Sequence, residues 1–156
     1  MHPEKTKIVY CKDEDRRGMY PQTSFDFLGF TFRRRKSRNK RGKHFTGFLP
    51  VISNKAKMSI RSKVRGWNMS SSSGSKIQKL AQEINPMLSG WINYYGSFYR
   101  SEMMKALGYI NQILKKWARQ KYRKLYGRKI KTRVWLKKVA NAQPSLFAHW
   151  QLGIWP

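Results

Sequence analysis

Carboxylates are scarce in this sequence. Seven Asp and Glu stand against 34 Lys and Arg among 156 residues, a formal net charge of +27, and after Asp26 the only acids are Glu83 and Glu102. Such a chain cannot neutralise its own cations, and in a globular protein that imbalance argues for a polyanionic partner. It also repels itself when alone, so its melting temperature is expected to rise with salt or an added polyanion. Cysteine is equally sparse. Cys11 is the single one, which excludes an internal disulfide and a thiolate metal cluster. One Cys and three scattered His offer no zinc-ligand spacing, so no metal and no cofactor are expected. No His or acid motif frames Cys11, and a buried, inert thiol is expected there. Asp13, Glu14 and Asp15 form the one acidic cluster, and their charged surroundings fit a solvated loop better than a metal site. No run approaches the roughly 20 apolar residues that span a bilayer. The opening MHPEKTKIVY lacks the apolar centre of a signal peptide, so the expectation is a cytoplasmic protein with no membrane partner.

What the chain does have is enough apolar material for a packed body, with 40% hydrophobic residues and six Trp. The organising stretch is Ile77 to Phe98. Ile77, Ala81, Ile84, Leu88, Trp91, Tyr95 and Phe98 recur there at steps of four and three, the spacing of one helical face. Asn85-Pro86 interrupts it, and proline removes a backbone donor and crowds the preceding turn. We therefore expect one helix to stop and another to start, with Asn85 as cap and Pro86 in the first turn. Gly90 and Gly96 are expected to permit close backbone approach. Met103, Leu107, Ile110, Leu114 and Trp117 repeat the same register. A helix from a Ser101 cap to about Tyr126, ended by Gly127, should pack beside the first. Upstream, Ser53 is placed to cap a helix over Asn54 to Trp67 whose stripe is Ala56, Ile60, Val64 and Trp67. Ser75 and Gln78 have the spacing of a capping box. A last helix, about Lys131 to Ala142, carries Val134, Trp135 and Val139, and SLFAHW at 145 to 150 is apolar enough to dock back on the bundle. His149 within it reads as a hydrogen-bonded packing residue.

Near the beginning, Lys5 to Cys11 and Phe25 to Phe32 read as an antiparallel hairpin with a long connection. Gly29 suggests a bulge or a close approach of another backbone, although a plain core strand with one glycine is the better reading on sequence alone. The expected fold class is mainly α, a helical bundle preceded by a short antiparallel β-hairpin, with residues 1–44 and 45–156 as the two parts.

The cations are grouped. Arg33 to Lys43, RRRKSRNKRGK, has eight among eleven residues, namely Arg33, Arg34, Arg35, Lys36, Arg38, Lys40, Arg41 and Lys43. A block like this is a solvated loop or a nucleic-acid arm, and in so basic a chain we read it as an arm. Lys57, Arg61 and Arg65 follow at steps of four. Like charges at that spacing cost an isolated helix roughly 0.2 to 0.5 kcal/mol each, a penalty that a bound anion removes. From Lys115 to Lys138 there are twelve Lys or Arg and no acid, interleaved with Trp117, Tyr122, Tyr126 and Trp135. Cations attract phosphates whatever the sequence, and aromatics stack on unpaired bases, although core packing is the better reading for each aromatic taken singly. Lys116, Arg119, Arg123, Lys124 and Arg128 complete the expected contact set, and with Lys57, Arg61 and Arg65 most of them should form one rigid cationic face.

The runs FDFLGFTF (25–32), FLPVISNKAK (48–57), INPMLSGWINYYGSF (84–98), WARQKYRKL (117–125) and LFAHW (146–150) together resemble the C-terminal part of bacterial group II intron reverse transcriptase/maturases. The resemblance implies that the first segments close the polymerase palm, with Phe27, Leu28, Gly29 and Phe30 in the hairpin that grips the primer end. It implies that residues from 53 onward are the thumb, or maturase domain X, which binds structured intron RNA and the RNA–DNA duplex. Where members of that family often carry proline after FTFR, this chain has Arg34 and Arg35. Polymerase chemistry needs carboxylate-held metals, commonly in Tyr-x-Asp-Asp, and that run does not occur here. The resemblance therefore implies an RNA-binding maturase domain without catalysis of its own. The alternatives are a piece that completes a separately encoded palm, or a basic protein that coats nucleic acid without preference.

Overall fold

A computed structural model describes residues 8–11, 18–69 and 74–156. The chain divides into two compact units, residues 1–56 and 57–156. The first is a three-stranded antiparallel sheet in the order β1 (Ser24–Phe27), β2 (Phe30–Arg38), β3 (His44–Ile52). Phe25 to Phe32 thus folds back on itself, pairing Phe27 with Phe30 across Leu28-Gly29, and the described residues 8–11 form no strand beside it. Leu28 and Gly29 both have positive φ, 47° and 78°, as a two-residue turn of the hairpin type requires. Gly29 is therefore a turn residue, neither a core-strand position nor a bulge, and its carbonyl accepts the Ser53 N–H at 2.8 Å. Residues 5–7 of the expected first strand lie outside the described residues. Cys11 is exposed, contrary to expectation, because residues 8–11 form no described strand that would carry it into a core.

The block at 33 to 43 is not an arm. Arg33 to Arg38 continue β2 and pair with His44 to Leu49 of β3. Ladder hydrogen bonds use only backbone, so a run of cations can hold a strand when alternate residues face water and the partner strand supplies apolar neighbours. Here the partner supplies Phe48 opposite Arg34 and Leu49 opposite Arg33. The turn is tied by Asn39, whose Oδ1 accepts the N–H groups of Arg41 and Lys43, and by Gly42 at φ 82°.

Buried Ser53 ends the sheet and accepts the Ala56 N–H on its Oγ at 3.1 Å, capping α1 (Asn54–Gly66) as the sequence predicts. The second unit then contains α2 (Ile77–Tyr95), α3 (Arg100–Lys121), a 3-10 turn at Arg123–Leu125, α4 (Lys129–Ala142) and the single-turn α5 (Ala148–Gln151). α3 lies against α2 and α4, and α5 against α2. The expected register is the core along α3 and along α2 as far as Leu88, whereas Trp91 and Tyr95 are half-buried and Phe98, beyond the end of α2, is exposed. Met103, Leu107, Ile110, Leu114 and Trp117 are all 1% exposed or less, as is Leu88, and each such side chain contributes about 1.5 to 3 kcal/mol by leaving water.

Several boundaries differ from the sequence reading. α2 runs unbroken through Pro86. An interior proline normally costs about 3 kcal/mol, but Pro86 and Gln82, whose carbonyl loses its amide partner, are both on the exposed side where water replaces the bond. Asn85 caps nothing. Its amide donates to the Leu146 carbonyl at 2.9 Å and its Oδ1 accepts the Ala148 N–H at 3.1 Å, holding the C-terminal segment. α2 begins after Lys76 and α3 after Tyr99, neither with a side-chain cap bond, so the Ser75 box and the Ser101 cap are not formed. α3 stops at Lys121, five residues early, and α4 starts two residues early at Lys129. The buried face of α4 is Thr132, Leu136 and Ala140, whereas Val134 is 47% exposed. Small residues let α4 approach closely, which bulk alone does not foretell. A Cβ on Gly90 would meet nothing, whereas on Gly96 it would strike the Ile92 carbonyl.

Candidate nucleic-acid interface

Strand alternation splits the cations of the sheet. Arg34, Lys36 and Arg38 share one face with Phe32 and, across the ladders, with Phe25 and Phe48. Phe25 stacks on Phe32 with centroids 4.8 Å apart and lies 6.2 Å from Phe48. Arg33 and Arg35 point to the other face. Arg38 donates from Nε to the Gly42 carbonyl at 3.1 Å, and Lys40, Arg41 and Lys43 are exposed around the turn. Phe27, Leu28, Gly29 and Phe30 are the β1–β2 turn and its flanks. Phe27 and Leu28 are exposed and Phe30 is buried.

In the helical unit the expected single face resolves into separate groups. Lys57 is held by Glu102, Nζ to Oε2 at 2.6 Å, and Lys105 takes the other oxygen at 2.7 Å. These bonds, from Lys105 and then Lys57, lower the Glu102 carboxyl to about 2. Glu102 also sits in the first turn of α3, where the helix end favours negative charge. Arg61 is exposed. Arg65 donates from Nε to the Tyr109 hydroxyl at 3.2 Å and lies 5.9 Å from that ring's centroid. With Lys116, Met69 and Trp117 they line a cleft of about 270 Å³.

On another side of α3, Lys115 and Arg119 meet Lys129 and Arg133 of α4 around a cleft of about 520 Å³ that Gln112 and Ile130 complete. Burial pulls the Lys115 ammonium below the ordinary lysine range, and Arg133 and Arg119 add to it. Of these four cations the sequence reading named only Arg119 as a contact. The signal was present, since Lys115 and Arg119, like Lys129 and Arg133, are four residues apart. Arg123, Lys124 and Arg128 are exposed around the 3-10 turn. Of the interleaved aromatics, Trp117 is core, Tyr122 packs 5.0 Å from Trp135, and Tyr126 is 76% exposed.

Two asparagines anchor the C-terminal segment. Asn85 holds 146–148 as above. Buried Asn111 donates to the Ile154 carbonyl at 3.0 Å and accepts the Trp150 Nε1–H and His149 Nε2–H, both at 2.9 Å. His149 is therefore the packing histidine the sequence predicts, fully buried, with burial lowering its imidazole to about 3.

Among the described residues, no group of three or more His, Cys, Asp or Glu could hold a metal, and no helix is long and apolar enough to cross a membrane. The class defined by fold and surface is a strongly basic helical domain preceded by an antiparallel sheet. A family model described as the group II intron, maturase-specific domain matches residues 57–135. That is just over half of the chain, and the chain belongs to this family. No curated protein and no solved structure matches it.

Proposed function

We propose that the chain is an RNA-binding maturase domain that engages structured group II intron RNA, assists its folding for splicing, and grips a template–primer duplex without polymerase chemistry of its own. The observation that carries this reading is the coincidence of the family match with helices whose Lys and Arg converge in clefts almost free of acids. Arg suits bidentate phosphate contact and Lys supplies point charges. The sheet, with stacked Phe25 and Phe32 beside Arg34, offers unpaired bases a surface of the kind that single strands stack on. If about six to ten phosphates are engaged, affinity for folded intron RNA falls about a thousandfold or more between 50 and 200 mM salt. A flat salt response removes the reading. Equal affinity for duplex DNA and folded intron RNA replaces it with nonspecific coating.

The exposed Phe27 and Leu28 at the sheet's turn favour a second reading, in which the chain complements a separately encoded reverse-transcriptase palm. Primer extension by that palm, with and without this chain, separates the two.

A further inference from the structure

We infer that the α3–α4 cleft formed by Lys115, Arg119, Lys129 and Arg133 is a dedicated seat for phosphodiester groups, taking neighbouring phosphates of an RNA backbone. The inference rests on the RNA-binding reading and adds where the strongest backbone contact falls.

Four cations converge on one cavity of about 520 Å³. The helical unit has only two acids, Glu83 and Glu102. Glu102 is occupied by Lys57 and Lys105, and among the described residues no carboxylate pairs with the four. Two other cations of the helical unit are satisfied by protein. Arg65 has the Tyr109 hydroxyl, and Lys121 has the Gly74 carbonyl and two aromatic rings. At this cleft no carboxylate offsets the repulsion, and the hold of half-buried Lys115 on its proton is weakened first by burial and then by Arg133 and Arg119. Such an arrangement destabilises the free protein and favours a ligand of concentrated negative charge. The cleft is an open groove between two helices and not a closed chamber, which suits a chain passing through. Two arginines give forked contacts to phosphate oxygens, and two lysines neutralise the remaining charge. Exposed Ile130 on the wall can cover the apolar edge of a sugar. Inorganic phosphate offers the same oxyanion without the chain, and the test separates these sources.

The test uses the full chain and two double variants of equal charge: Lys115→Gln with Arg133→Gln in the cleft, and Lys137→Gln with Lys138→Gln on the exposed part of α4. Binding to a folded intron RNA is measured by fluorescence anisotropy over a salt series, and melting temperature with and without inorganic phosphate. The cleft pair is expected to make the log–log salt slope shallower by about two, and the α4 pair by clearly less. Lys115→Gln alone is expected to raise the melting temperature of the RNA-free protein, an effect opposite to that of a damaged fold. Equal slopes for the two pairs, or an unchanged slope for the cleft pair on a steep wild-type background, overturn the inference and leave RNA binding standing. A cleft pair that loses only its stabilisation by inorganic phosphate while keeping the RNA slope also overturns it, in favour of a free-phosphate site. A wild-type slope near zero removes both the inference and the reading beneath it.

Discussion

The two ends of α3 treat a surplus of positive charge in opposite ways. At the N-terminal end one carboxylate, Glu102, draws Lys57 and Lys105 together at 2.6 and 2.7 Å and turns them into structure. Toward the C-terminal end Lys115 and Arg119 face Lys129 and Arg133 with no acid among them. The same residue types are thus cross-links in one place and charge without a carboxylate partner in the other, and the position of a single acid decides which. A count of cations therefore says that a polyanion is needed, whereas the sparse acids say where it is not held.

Substitutions can break or sharpen this contrast. The largest effect is expected midway along α3, where Asn111 serves neither charge group. Asn111→Ala removes three hydrogen bonds and strands buried His149 and Trp150 donors, a loss of about 3 kcal/mol or more. Chemical denaturation should show both ends of α3 lost together. Acid reaches the same core. His149 stays neutral when folded down to about pH 3, whereas its unfolded form takes a proton near 6.5. Stability that is complete above pH 6.5 therefore falls by about 1.4 kcal/mol per pH unit between those values.

Next in size is Glu102→Gln, which frees Lys57 and Lys105 and should cost about 1 kcal/mol at neutral pH, with RNA affinity unchanged or higher. The Glu102 carboxyl is lowered from 4.5 to about 2. Its contribution is therefore present above pH 4.5 and vanishes as pH falls through 2, so the variant and the wild type should converge in acid melts. A constant gap across that range would contradict the assignment. The smallest is Gln112→Glu, which gives the cleft the acid it lacks, three residues from Lys115. It should stabilise the free protein by about 0.2 to 0.5 kcal/mol and weaken RNA binding. A lower melting temperature would show that the cleft cations do not repel one another.

Much of the helical core was legible because the four-and-three register of α2 and α3 is set by bulky apolar residues that only one face can bury. Ser53 and His149 were legible for similar local reasons. What escaped depends on distant partners. Asn85 looked like a cap beside Pro86 because its true partners, at 146 and 148, lie more than sixty residues away. Residues 33–38 looked like an arm because charge hides a strand whose pairing is made by backbone. The pairing of Lys57 escaped because Glu102 is 45 positions downstream. The cleft escaped in part because α4 begins earlier than its apolar residues suggest, which left Lys129 outside the expected helix, and in part because the meeting of Lys115 with Arg133 depends on how α3 packs on α4.

The asparagine anchors have a consequence for how the domain is made. Asn85 and Asn111 take their partners from residues 146 to 154, so a nascent chain carrying α1 to α4 still has two polar side chains open in its interior. Until residues 146 to 154 have been made, neither asparagine has the partners that hold it in the finished domain.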